Sequence, residues 1–286
     1  MLCRGWKTMT RYINPARRTA IHLVLAGYTT LALWPIFLII INSFKTRKAI
    51  FREPMALPGT DSFSLIGFEK VLSKSNLLLS YYNSIVVTVI TLVVVLLIGA
   101  MAAWALSEYK FRGNTFLAIY LAIGIMVPIR LGSVSILQLI VNLHLINTLT
   151  ALILIYTAQS LPLAIFILNE FMHQIPNDLK EAARCDGVGE YTIFFKIILP
   201  LTRPAIATVG VFSMVPIWND LWFPLILAPS QKTQTITLGI QQFIGQYVTD
   251  WNAVLASLTL AIIPILVIYL LLSKQLIRGI TAGAIK

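Results

Sequence analysis

Side chains able to do acid–base, nucleophilic or metal chemistry are few in this 286-residue chain, and their placement limits what they can do. Arg130 and Asp220 stand inside long apolar runs. A charge in hydrocarbon is costly, so a paired or functional role is the default reading for each. The three histidines, His22, His144 and His173, are scattered over separate segments and assemble no ligand set or proton relay. No Gly-x-x-x-x-Gly-Lys-Ser/Thr phosphate loop occurs, nor His-Glu-x-x-His or Gly-x-Ser-x-Gly, so neither P-loop nucleotide binding nor the chemistry of those hydrolases is expected. We expect no catalytic residue, no metal site and no cofactor bound by this chain, which is therefore not an enzyme in its own right.

One stretch is dense in polar groups: Ile175-Pro176-Asn177-Asp178-Leu179-Lys180-Glu181-Ala182-Ala183-Arg184-Cys185-Asp186-Gly187. Pro176 suits a helix entry, Asp178-x-x-Glu181 has capping-box spacing, and Gly187 suits the left-handed residue that ends a helix. The helix this predicts has only about eight residues and is marginal alone in water, so something must hold it. A second amphipathic stretch, Tyr191–Ile198, runs into Leu199-Pro200. From periodicity alone, two readings stay open: a knob that enters a partner's groove, or a loop lying on lipid headgroups.

The elements that must carry these residues are membrane helices. The chain is 58% apolar and 12% charged, about half the charge of a soluble domain. No Asp, Glu, Lys or Arg lies between Arg18 and Lys45 or between Lys74 and Glu108. Such runs exceed the roughly 20 residues that cross a bilayer, and backbone in lipid must be helical or form a closed barrel. We expect an all-α polytopic fold with a short segment at 1–19, six spans near 20–42, 82–106, 116–139, 149–170, 204–228 and 254–273, a loop at 171–203 and a tail at 274–286. With both termini inside, 14 Lys/Arg fall on the inner side, while the outer loop from Asn42 to Tyr81 carries 6. The positive-inside rule then favours cytoplasmic termini, since long loops weigh little in it. The net charge of +11 is thus a topology signal and not a sign of nucleic acid. Cys3 and Cys185 fall on the reducing side, where no disulfide is expected. Arg130 and Asp220 sit about 21–24 Å along the third and fifth spans at 1.5 Å per residue. At that shared depth they either pair across helices and shape an outer gate, or each reaches headgroup water separately.

The pattern at Glu181, Ala182, Ala183, Gly187, Ile197, Leu199 and Pro200, with Asp186 before the glycine and Pro204 after, resembles the EAA loop of ABC importer permeases, in their carbohydrate-uptake branch. Trp218-Asn219-Asp220 and the Gln241–Trp251 loop are similar to further segments of that family, and the tail Arg278–Lys286 resembles the C-terminus of the maltose importer's smaller permease subunit. The resemblance implies the ABC importer permease fold in a bacterial or archaeal plasma membrane. It implies that Glu181, Ala182, Ala183, Asp186, Gly187, Leu199 and Pro200 couple to a dimeric ATPase that holds the ATP and magnesium, and that the tail reaches the same interface. A second permease, of a different sequence, and an extracytoplasmic solute-binding protein are the other implied partners. Arg130, Trp218, Asn219 and Asp220 are the candidates for the pathway or gate. The aromatics Trp218, Trp222, Phe223, Tyr247 and Trp251 could stack on sugar, though an interfacial aromatic belt is the preferred reading for them. An ATP-independent transporter or channel, an importer for a non-sugar solute and a membrane assembly factor are the competing functions. Ion coupling needs acids deep in the spans, and only Asp220 is on offer.

Overall fold

A computed structural model describes residues 15–74, 76–245 and 249–284; Cys3, Tyr247, Ile285 and Lys286 lie outside the described residues. The chain falls into two compact units, one formed by residues up to Ser73 with Thr249–Thr259, the other by Lys74–Val248 with Leu260 onward. Among the described residues four helices are long and apolar enough to cross a membrane, or six if each of two bent helix pairs counts as one span.

The first unit contains α1 (Pro15–Ser43), α2 (Arg47–Arg52) and α3 (Ile66–Lys74). Just past α1, Lys45 is buried, and its ammonium donates to Asn42 Oδ1 at 3.0 Å and to the Glu53 carbonyl at 2.8 Å. Burial lowers its pKa, partly offset by the charge of Glu53. Asn252 Nδ2 donates to the Lys45 carbonyl at 2.7 Å. Lys70 pairs with Asp250. Burial opposes ionisation of Asp250, but the Lys70 bond, the Ala253 amide and nearby positive charge outweigh it and hold the carboxyl below its usual range. Gly67 lies so close to the Asn252 carbonyl that a Cβ would collide with backbone.

The second unit is built on α4 (Leu77–Glu108), a 32-residue helix. At 1.5 Å per residue it is about 48 Å long, against about 30 Å of hydrocarbon, so its ends must leave the apolar layer or the helix must tilt. It packs along α7 (Leu149–Met172). Small residues allow the approach: a Cβ on Gly99 would lie 3.3 Å from Ala164 Cβ, and Ala100, Ala103 and Ala164 are buried. This is the dense contact that replaces hydrophobic drive in lipid.

Between these two helices the expected third span is α5 (Asn114–Met126), a 3₁₀ turn at Ile129–Gly132 and α6 (Ser133–Asn142), bent by 84°. Pro128 lies in the break, where it lacks an N–H and keeps the residue before it out of helical geometry. After α7 come α8 (Asn177–Cys185) and α9 (Glu190–Leu201), which includes a π-helical turn at Phe194–Ile198. The expected fifth span is α10 (Arg203–Asn219), broken at Asp220 and continued by α11 (Trp222–Leu227). Then follow α12 (Ile236–Gln241) and α13 (Trp251–Ala284). Arg130 and Asp220 therefore stand at breaks and not on helical walls.

Gly67→Ala should destabilise the protein by about 1–3 kcal/mol, the cost of overpacking against backbone. Gly27→Ala, where a Cβ meets nothing within 4 Å, should not. Thermal unfolding midpoints of the two variants in nanodiscs test this; equal midpoints would refute it.

Candidate functional site

The polar loop forms a nine-residue helix, α8, beginning directly after Pro176. Its start at Asn177 puts Asp178 inside the first turn, so the expected capping box does not form and no side chain caps the end. Asp178 instead favours the positive end of the helix dipole from within. The other end closes as expected on Gly187, at φ +75°. The Gly187 amide bonds to the Arg184 carbonyl and the Val188 amide to that of Ala183, both at 3.0 Å, satisfying carbonyls that would otherwise be orphaned.

The faces of α8 are sorted by charge. Lys180 and Ala183 are buried and Arg184 is half-buried, while Asp178, Glu181, Ala182, Cys185, Asp186 and Gly187 are exposed. Ala183 joins the apolar core with Ile193, Phe194 and Ile198 beneath the helix, and Leu199 packs against that core with Pro200 half-buried beside it. The inward cations, at i and i+4, meet the last residue of α4. Lys180 Nζ lies 2.5 Å from Glu108 Oε2 and Arg184 Nη2 lies 2.7 Å from Glu108 Oε1. Arg184 Nε also donates to Glu190 Oε1 at 2.7 Å, and the Tyr109 hydroxyl donates to Glu190 Oε2 at 3.0 Å. The Arg184 bond holds the Glu190 carboxyl below its usual range, against a smaller opposing effect of burial. The two carboxylates push the Arg184 pKa up in turn, Glu190 most. Sequence reasoning missed Glu108, Lys180, Arg184, Glu190 and Tyr109. The available signal was a basic pair at i, i+4 in a helix that also needs an anchor.

The second cluster gathers the breaks. The Asp220 side chain is 8% exposed and Arg130 Nη2 lies 3.3 Å from its Oδ1, with the Arg130 side chain 68% exposed. The Tyr156 hydroxyl donates to Asp220 Oδ2 at 2.9 Å, the Phe223 amide donates at 3.0 Å, and the Trp222 amide reaches Oδ1 at 3.4 Å. Asp220 thereby supplies the first amides of α11 with an acceptor where α10 stops. Its own carbonyl accepts from Thr237 Oγ1 at 2.6 Å. Trp222 Nε1 donates to Ser133 Oγ at 2.8 Å, joining the two broken spans a second time. Trp218 is buried, with Nε1 donating to the Ala261 carbonyl at 3.1 Å, whereas Asn219 is exposed and bonds back to Val215. The structure thus brings Arg130 and Asp220 together, and places Trp218 in packing against α13. Among the described residues no group of His, Cys, Asp or Glu could hold a metal ion.

The order of destabilisation expected here is Asp220→Asn over Tyr156→Phe over Arg130→Gln. Asp220 carries several charge-assisted bonds worth about 1.5–3 kcal/mol each, Tyr156 one such bond, and Arg130 an exposed pair worth about 0–1 kcal/mol. Unfolding midpoints of the purified variants would read it, and an Arg130 effect as large as that of Asp220 would contradict it.

Residues 95–282 match a family described as the binding-protein-dependent transport system inner membrane component. The chain is 36% identical over 265 residues to a putative ABC transporter permease protein of Caldicellulosiruptor, covering 92% of this chain and 95% of that one. It is 28% identical to the diacetylchitobiose uptake system permease protein of Streptomyces coelicolor, covering 93% and 88%. Its fold is similar to that of a chain in a bacterial ABC transporter that imports the acidic polysaccharide alginate, with a TM-score of 0.78, 22% identity and coverage of 92% and 98%.

Proposed function

The chain belongs to the family of binding-protein-dependent transport system inner membrane components, and from that premise we propose that it is one permease subunit of an ABC importer for a sugar or related polyol. The names of its relatives support the solute class, since they include permeases for diacetylchitobiose and arabinooligosaccharides. The observation that carries the mechanism is the charge-sorted docking helix. Its cations are turned inward, so α8 offers a partner Asp178, Glu181 and Asp186 around the small residue Ala182. A short helix with such a face fits a groove lined with cations that admits close backbone approach, and we assign that groove to the ATPase subunit. Glu181, Ala182, Asp186 and Gly187 make the contact, while Ala183, Leu199 and Pro200 support it from beneath.

In this reading both termini and α8 lie in the cytoplasm, as the distribution of Lys and Arg favours. The ATPase dimer holds ATP and magnesium and this chain holds neither. A second permease of different sequence completes the pathway, and the solute crosses between the two near the midplane. A solute-binding protein delivers from the outer side, with the 228–252 loop as its contact, and the Arg130–Asp220 cluster shapes the outer gate. An ion-coupled transporter is disfavoured because Asp220 already accepts from Arg130, Tyr156 and two amides, which leaves it poorly suited to bind and release a coupling ion.

Tagged protein purified gently from its native membrane should bring with it a P-loop ATPase and a second six-span protein. Glu181→Lys reverses the charge at the centre of the docking face, and Gly187→Asp forces a side chain onto a positive φ. Both should reduce the ATPase recovered by about tenfold or more, which corresponds to 1.4 kcal/mol. Folded variants with undiminished ATPase would sink the docking assignment, and absence of an ATPase from every sample would sink the importer reading.

A further inference from the structure

The long helix α4 is held at both ends. At one end Glu108 takes Lys180 and Arg184 of the docking helix. At the other, Asn83 Nδ2 donates to the carbonyls of Lys232 and Gln234 at 2.9 and 3.1 Å, and the Ile236 amide donates to Ser84 Oγ at 2.8 Å. That 232–237 segment reaches the Asp220 carbonyl through Thr237. Gly239 sits against Ser80 so closely that a Cβ would lie 2.9 Å from Ser80 Oγ. A continuous chain of polar contacts and one rigid helix therefore joins the docking helix to the cluster at the broken spans.

We propose that α4 is the rod that carries movement of the docking helix to the Asp220 cluster, with Glu108 as its joint and Lys180 and Arg184 as the positioning residues that close it. This rests on the reading of α8 as the ATPase dock. The Glu108 side chain is 11% exposed and that of Lys180 is 9% exposed. Turning α8 away from α4 would strip this carboxylate of both partners in a poorly solvated place, the costly way to break an ion pair. Sliding of the helix is also resisted, because the two cations grip different oxygens of one carboxylate. The docking helix and α4 consequently move as one body. Without the joint, α8 keeps only the apolar seat under Ala183 and the Arg184–Glu190 contact, which tolerate rolling, and a displacement imposed on it is absorbed locally.

The assembled transporter, purified with its ATPase and reconstituted in proteoliposomes, tests this through the ratio of solute taken up to ATP hydrolysed. Glu108→Gln should lower that ratio by about tenfold, within the range by which residues on a coupling path alter it, while the ATPase still co-purifies. A merely structural role would lower uptake and hydrolysis together and leave the ratio unchanged, which would overturn the proposal. A second variant guards against misfolding. In a background with Cys3→Ser and Cys185→Ser, the pair Glu108→Cys and Lys180→Cys should be uncoupled. Bridging the two thiols with a short bis-methanethiosulfonate should restore the ratio toward that of the background. If bridging abolishes uptake, the joint must open during the cycle and the proposal is wrong. If the unmodified protein brings no ATPase at all, the underlying reading fails first, and that result is seen before any ratio is measured.

Discussion

The carboxylate of Glu108, at the end of the longest helix of the second unit, decides which way the docking helix faces. A nine-residue helix is marginal by itself, and its hydrogen-bonded ends supply too little to orient it. The apolar core beneath Ala183, Ile193 and Phe194 holds it down, but an apolar contact alone tolerates rolling. Two charge-assisted bonds to one carboxylate do not, since their strength falls steeply with geometry. Fixing Lys180 and Arg184 inward leaves an exposed face of one sign. The same interaction thus sets the attachment of the helix, its rotation and the charge on its exposed face.

A second cluster applies similar physics to a different problem. Helices that break within a membrane domain leave amides and carbonyls without partners, and these must be satisfied by protein. Asp220 does this where α10 ends, by accepting from the amides of Trp222 and Phe223. Tyr156, in the first third of α7, fixes the carboxylate against the helix that packs along α4. A buried acid here is therefore a structural acceptor first. Its ion pair with Arg130 is the outermost of its contacts and the most exposed to water.

What could be read from the sequence, and what could not, follows from the range of the interactions. The apolar runs mark α1, α4 and α7 to within a few residues, because hydrocarbon acts on every residue of a span alike. Gly187 was legible as a helix end because a left-handed residue is a local requirement. The 84° bend was not. Pro162 and Pro264 lie inside continuous helices, whereas Pro128 lies at a break, and nothing local to the three prolines separates them. The capping box failed for a related reason. Pro176 set the first helical residue two positions before the box required, and backbone geometry outweighed side-chain spacing. Glu108 was hidden altogether. Its partners stand 72 and 76 positions away, and only the packing of α4 against α7 brings them together.

The two clusters also differ in a way that suits their places in a moving protein. At Glu108, removal of either side leaves a charge stranded where water barely reaches, so the contact resists opening. At Asp220, loss of Arg130 leaves the carboxylate with Tyr156 and two amides, and leaves Arg130 in contact with solvent. Neither group is stranded, so this contact can open and close at small cost. If α8 is the ATPase dock proposed above, a stiff joint there and a yielding one where helices are already broken would divide the labour of a transport cycle. The yielding contact suits the gate proposed for it because Asp220 has other partners to keep it satisfied while Arg130 is away.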